Sequence, residues 1–143
     1  MSIKKKVIIF IVFNATLLFI PWLNALTSNF VLQGDFDDRN IKFIGSHGRY
    51  KMEANYSSDL HIVHTGYYAS LFDTLYLFQV RRDKVAGNSV FDLNEFIRSQ
   101  QNFILLKLSH EQGNVYELKH IEEDPRKGIV KHSVIVNGDL GLL

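Results

Sequence analysis

From Val7 to Leu26 the chain is predominantly apolar and carries no charge, and beyond it apolar residues recur with period 2 rather than 3.6. The clearest alternation is His47–Tyr56. There Tyr50, Met52, Ala54 and Tyr56 share one face, and Arg49, Lys51, Glu53 and Asn55 share the other, the pattern of a half-buried antiparallel strand. Gly45-Ser46 before it and Ser57-Ser58 after it read as turns linking it to Asn40–Ile44 and Asp59–Thr65. Thr74–Arg82 is apolar on both faces, with Leu75 and Leu77 on one and Tyr76, Phe78 and Val80 on the other, which predicts a strand covered twice. Phe103–His110 and Val115–Ile121 form a hairpin around Gln112-Gly113-Asn114, Glu122–Gly128 connects to Ile129–Val136, and Asn29–Gln33 adds a first strand. One helix is expected at Asp92–Gln101, where Asp92 and Glu95 form a capping box and Leu93, Phe96 and Ile97 an apolar stripe.

About eight meandering strands and one short helix predict a mainly β domain at residues 27–143. Its form is a small antiparallel, lipocalin-like barrel or a curved open sheet. Residues 1–6 read as a cytoplasmic tail. Residues 7–26 read as a transmembrane anchor, because twenty helical residues cover about 30 Å, one bilayer core. Lys4–Lys6 keep the tail inside under the positive-inside rule, so the domain is exported, and Trp22 stands where an interfacial aromatic would. The competing reading is a signal peptide, with Pro21 ending the apolar stretch and Leu23-Asn24-Ala25 as cleavage site; Leu23 is large for that role. Asn14 and Thr16 lie within the span as small polar residues able to bond a neighbouring helix.

Composition narrows the function. Three of the 16 basic residues are Lys4–Lys6, which leaves 13 against 15 acidic residues beyond the span, a net of −2. A domain of that sign is a poor holder of a phosphate backbone, so no nucleic-acid partner is expected. With no cysteine there is no thiol nucleophile or disulfide framework. His61 and His64 are three apart on a strand and point to opposite faces, so they do not make a metal pair. Asp35-Phe36-Asp37-Asp38 lacks the glycine and the closing glutamate of a calcium loop and reads as a solvated turn. Asn55-Tyr56-Ser57 fits a glycosylation acceptor, a pattern frequent by chance. No nucleotide loop, nucleophile elbow or dinucleotide fingerprint occurs; neither an enzyme nor a cofactor is expected.

Six histidines are many for so small a domain, and the alternation puts three of them on apolar faces: His64 with Leu60 and Ile62, His120 with Tyr116 and Leu118, His132 with Val130, Val134 and Val136. These are the candidate pH-responsive residues, since a histidine buried neutral must charge or be exposed as pH falls through about 6. Tyr50, Tyr56, Phe78, Leu106, Tyr116 and Val134 are candidate lining of a ligand chamber, and serve equally as solid core. Leu77 and Phe78, on the two-sided strand, are the candidate partner interface.

A short basic tail, one span, a β-meander and the Asp92–Gln101 helix before the last strands resemble a family of small membrane-anchored periplasmic proteins. These are the partners of ToxR-like transmembrane transcription regulators: the ToxS, TcpH, VtrC, PsaF/MyfF and FidL-like proteins. The resemblance covers the whole chain as layout and carries no diagnostic motif. It implies a bacterial inner-membrane protein with a periplasmic lipocalin-like domain. That domain would bind and stabilise the periplasmic domain of a co-encoded single-pass regulator, and in some members enclose a small hydrophobic ligand. Readings from other classes are a stand-alone exported ligand-binding module and an accessory protein of surface-fibre assembly working through an exposed strand edge.

Overall fold

The computed structural model describes residues 3–87, 102–121 and 129–142. One helix, α1 (Ile3–Thr27), leads directly into eight strands: β1 (Asn29–Phe36), β2 (Arg39–Ser46), β3 (Arg49–Tyr56), β4 (His61–Leu71), β5 (Thr74–Ala86), β6 (Phe103–Gln112), β7 (Val115–Ile121) and β8 (Ile129–Asp139). Every strand pairs antiparallel with the next, and β1 returns to β8 from Asn29 opposite Asp139 to Gln33 opposite Ile135, so the meander closes into a barrel. Closure removes the edges that an open sheet of this length would expose. The expected helix at Asp92–Gln101 lies outside the described residues.

Strand-to-strand register puts alternate residues inside. Phe30, Leu32, Phe43, Tyr50, Tyr68, Leu75, Leu77, Leu108, Leu118, Val134 and Val136 form one buried core, joined by Ala25 from α1. Its centre is aromatic: Phe30 stacks on Phe43 at 5.6 Å, Phe43 on Tyr50 at 5.1 Å, and Tyr68 meets Phe30 edge-on at 5.7 Å. Gly45, expected to lie in a turn, is instead inside β2, because the Phe30 ring occupies the place its side chain would fill, 2.8 Å from a Cβ built there. The turn falls two residues later at His47-Gly48, both with positive φ (49° and 78°), the two-residue reversal that matches strand twist. A histidine in that conformation is held by its partners. Its amide donates to Ser28 O, and its Nδ1 lies 2.9 Å from Leu26 O.

The junction of helix and barrel is a packed joint. Asn24 and Ala25 are 3% and 0% exposed. Asn24 Nδ2 donates to Ser70 Oγ (2.9 Å) and Ser70 O (3.2 Å) on β4, and Ser28 Oγ bonds both Ala25 O and the Tyr68 hydroxyl. Only Ser28 separates α1 from β1, so no linker intervenes. The remainder of α1, Ile3 to Phe19, is exposed along its whole length, and α1 is long and apolar enough to cross a membrane. Within it Asn14 and Thr16 bond their own backbone, to Phe10 O and Val12 O.

β5 departs from simple alternation. Against β4 its register slips twice, leaving Val80 and Val85 as the extra residues of two β-bulges. Gly66 faces the first bulge, and a Cβ there would fall on the carbonyl oxygen of Phe78. Gly66→Ala is therefore expected to cost about 3 kcal/mol of unfolding free energy, as overpacking against backbone does. Chemical denaturation of the full chain reads this directly, and a change within about 0.5 kcal/mol, the range of neutral surface substitutions, would contradict it.

Candidate functional site

The barrel's outer wall is unequal around its circumference. On β3, β7 and β8 it carries ion pairs: Lys51 with Glu53 (2.6 Å), Lys119 with Glu117 (2.9 Å) and Lys131 with Glu117 (3.5 Å). The hydrogen bond from Lys51 lowers the Glu53 pKa against a smaller opposing effect of burial, and Glu117 is lowered in the same way by Lys119, then Lys131. On β4, β5 and β6 the outer residues Tyr67, Tyr76, Phe78, Phe103 and Leu105 are apolar or aromatic and partly or largely exposed, and the ion pairs there, Lys107 with Asp73 (3.2 Å) and Arg81 with Asp83 (2.8 Å), lie to either side of them. Phe78 is the hub of this wall. It stacks on Trp22 of α1 (5.4 Å, 23° between planes) and meets Phe103 at 5.0 Å.

Beyond Phe78 the wall changes character. β6 pairs with β5 only from Thr74 to Phe78, and Gln79 N donates to Asn102 O. Among the described residues no strand pairs with Val80–Ala86 on that side, although β4 accompanies the segment on the other. The two bulge valines stand here at 68% and 62% exposure.

Inside, the end of the barrel away from α1 is more polar. His64 faces inward from β4, opposite Met52, with Nδ1 2.6 Å from Gln79 Oε1. His132 packs its ring on Phe36 at 4.3 Å. Arg39 donates to the Tyr56 hydroxyl at 3.2 Å and lies over the Tyr56 ring. His120 pairs in register with Leu106 and Val130, diagonal to His132; its side chain is outside the described residues. His64 and His132 fall on the inner face but not in one cluster, since β4 and β8 lie across the barrel from each other. At this end an open depression of about 300 Å³ is lined by Phe36, Arg39, Tyr56 and the Asp35–Asp38 turn. No group of three metal-ligating side chains occurs among the described residues.

The other candidates separate by position. Leu77 is 1% exposed in the core while Phe78 is 38% exposed outside, so Leu77 cannot meet a partner and Phe78 cannot line a chamber; adjacent strand residues take opposite sides of the wall. Tyr50 and Val134 belong to filled core, not to an open chamber, because the Phe43 ring is stacked on the one and Val134 Cγ1 closes the space beside Gly34. Burial pushes the Tyr50 hydroxyl up to about 12. Leu106 and Tyr116 pack half-buried against that core, and Tyr56 is half-buried at the far end. The joint of Asn24, Ser28, Ser70 and Tyr68 was not legible as a site; its only trace is a pair of polar residues closing the apolar run.

These features define a closed eight-stranded antiparallel barrel fused without linker to one membrane-length helix. No family model matches the chain, and no curated protein or solved structure does either.

The carboxylate shifts set a pH expectation. For Asp73 burial acts upward but is outweighed by hydrogen bonds from Lys107 and Thr74, so its pKa, like those of Glu53 and Glu117, is lowered. A carboxylate lowered on folding stabilises above its unfolded pKa, about 4.3 or below, and that contribution disappears as pH falls through the folded value. These groups therefore leave stability unchanged between about pH 7 and 5.5, where only histidine ordinarily titrates. Melting temperature is expected to fall as pH drops below about 4, and replacing Glu53 and Glu117 together by Gln is expected to shallow that fall. An acid profile identical in both proteins would remove these pairs from the account.

Proposed function

We propose that this protein is a membrane-anchored, non-catalytic subunit. Its exported barrel binds and stabilises the exported domain of a co-encoded single-pass membrane transcription regulator. In a bacterium α1 would lie in the inner membrane with Lys4–Lys6 in the cytoplasm and the barrel in the periplasm. The buried joint supports an anchor over a cleaved signal, because cleavage after Ala25 would remove Asn24 and Ala25 from the barrel and leave Ser70 without that partner. It also weighs against the stand-alone exported module, which needs that cleavage. The filled aromatic core near α1 weighs against a chamber there.

The observation that carries the reading is the overhang of β5. Among the described residues no strand pairs with β5 beyond Phe78 on the side away from β4, and Val80 and Val85 are exposed there, a place where an incoming strand would find apolar contact. The bulges and the charged Arg81, Asp83 and Lys84 guard it against indiscriminate pairing, which favours a partner of fitted shape over self-association. A stimulus such as pH or a small hydrophobic ligand would reach this edge through the polar end of the interior, where His64 bonds Gln79 just before the first bulge.

Replacing Val80 and Val85 together by Lys tests the edge without touching the core. Capture of the co-encoded regulator from solubilised membranes is expected to weaken at least about tenfold, or 1.4 kcal/mol, while stability changes by no more than about 0.5 kcal/mol. Undiminished capture by the double variant would reject the edge, and failure of the native chain to capture the regulator would reject the partner.

A further inference from the structure

The length of α1 and its fusion to the barrel together fix how far the barrel can stand from a membrane. Val7–Leu26 spans about 30 Å, the hydrocarbon thickness, and the headgroup zone adds only about 5–8 Å on each side. Residues 24, 25 and 28 are already inside the barrel's packing, and β1 starts at Asn29. No length of chain remains to lift the near end of the barrel clear of the headgroups. Trp22 precedes that joint by two residues, about 3 Å of helix, and its ring lies on Phe78, which in turn lies against Phe103. The outer aromatic wall therefore sits at the depth of Trp22, not beyond it. Phe72, exposed at the β4–β5 turn, is two residues past Ser70, the residue that Asn24 grips.

We propose that Phe78, Phe103, Tyr67 and Phe72 form a lipid-contacting collar. The barrel would lie with the outer face of β4–β6 on the interface of the membrane that α1 crosses. The inference rests on the anchoring reading above and goes beyond it, since an anchor alone does not require the barrel to touch lipid. Continuity supplies the argument for lipid: the collar is joined ring to ring to the span itself. Charge supports it. The collar wall gathers aromatic rings about Phe78, with the half-exposed Lys107–Asp73 pair at its margin beside Phe72, where it would meet headgroups; β3, β7 and β8 carry ion pairs of this kind, and burying those in a headgroup–acyl boundary would cost their hydration. Aromatic side chains favour that boundary. The exposed bulge valines Val80 and Val85 lie farther along β5, past Phe78, outside the collar.

The chain has no cysteine, so single labels are unambiguous. Full-length Phe13→Cys, Phe78→Cys, Phe103→Cys and Lys131→Cys are each labelled with an environment-sensitive fluorophore. They are reconstituted in vesicles of phosphatidylethanolamine and phosphatidylglycerol, with nitroxide lipids that quench at shallow or deep positions. Positions 78 and 103 are expected to emit blue-shifted light and to be quenched severalfold more than position 131 by the shallow nitroxide, while position 13 is quenched by the deep one. Deep quenching at 13 with 78 and 103 matching 131 would leave the anchor standing and overturn the collar. A blue shift at 78 and 103 that grows with protein density and ignores nitroxide would overturn it in favour of a second copy on this wall. Absence of quenching at 13 would overturn the anchor and the collar with it.

Discussion

The structure depends on one joint, where the last turn of α1 becomes part of the barrel's interior. Ala25 enters the aromatic core, Asn24 is held by Ser70, and Ser28 is shared between Ala25 O and the Tyr68 hydroxyl. The Tyr68 amide is in turn donated to Gly48 O, in the same hairpin turn whose His47 reaches Leu26 O. Helix end, β2–β3 turn and β4 are thereby tied into one hydrogen-bonded knot, buried at Asn24, Ala25, Ser28, Tyr68 and Ser70 and exposed at Leu26 and His47. Buried bonds of this kind add modest stability when made and cost more when one partner is lost. Here the final residues of a membrane-length helix serve as core, with Ser28 alone between helix and strand.

Placing the joint at one end divides the barrel. Near α1 the interior is filled by stacked rings, and the outside is aromatic from Trp22 through Phe78 to Phe103. Toward the other end the interior admits His64, Gln79, Arg39 and His132, and the wall loses its β5–β6 pairing. The two bulges of β5 mark the boundary, since the slip at Val80 resets which side chains face in. Under the proposed reading, the end near α1 would face the membrane and the end past the bulges a partner. The proposed subunit role needs both.

Much of this could be read from the chain, and the failures share a cause. Alternation together with turn signals located all eight described strands, because a wall with one wet face must alternate, although β4 runs to Leu71 rather than ending at Thr65. Strand ends were less legible. Gly45 signals a turn locally, and only the Phe30 ring from β1 explains a glycine inside β2. The two faces of Thr74–Arg82 were visible as a pattern, yet which face was core depends on closure of β1 onto β8, a contact between chain ends. Hence Leu77 and Phe78 were paired as one interface when the wall separates them. The bulge at Val80 exists only relative to its partner strand and leaves no mark in composition. Asn24 and Ser28 were hardest, since polar residues after an apolar run look the same in a cleavage site and in a buried joint.

The joint is most directly tested by substituting its polar side chains in the intact protein. Full-length chain in lipid nanodiscs, native and with Asn24→Ala and Ser28→Ala combined, is unfolded chemically while barrel tertiary signal is followed. Loss of two buried hydrogen-bonding groups is expected to lower the unfolding free energy by about 3 kcal/mol. A double variant as stable as the native chain, within about 0.5 kcal/mol, would mean that α1 merely adjoins the barrel, and the account built on its fusion would fail.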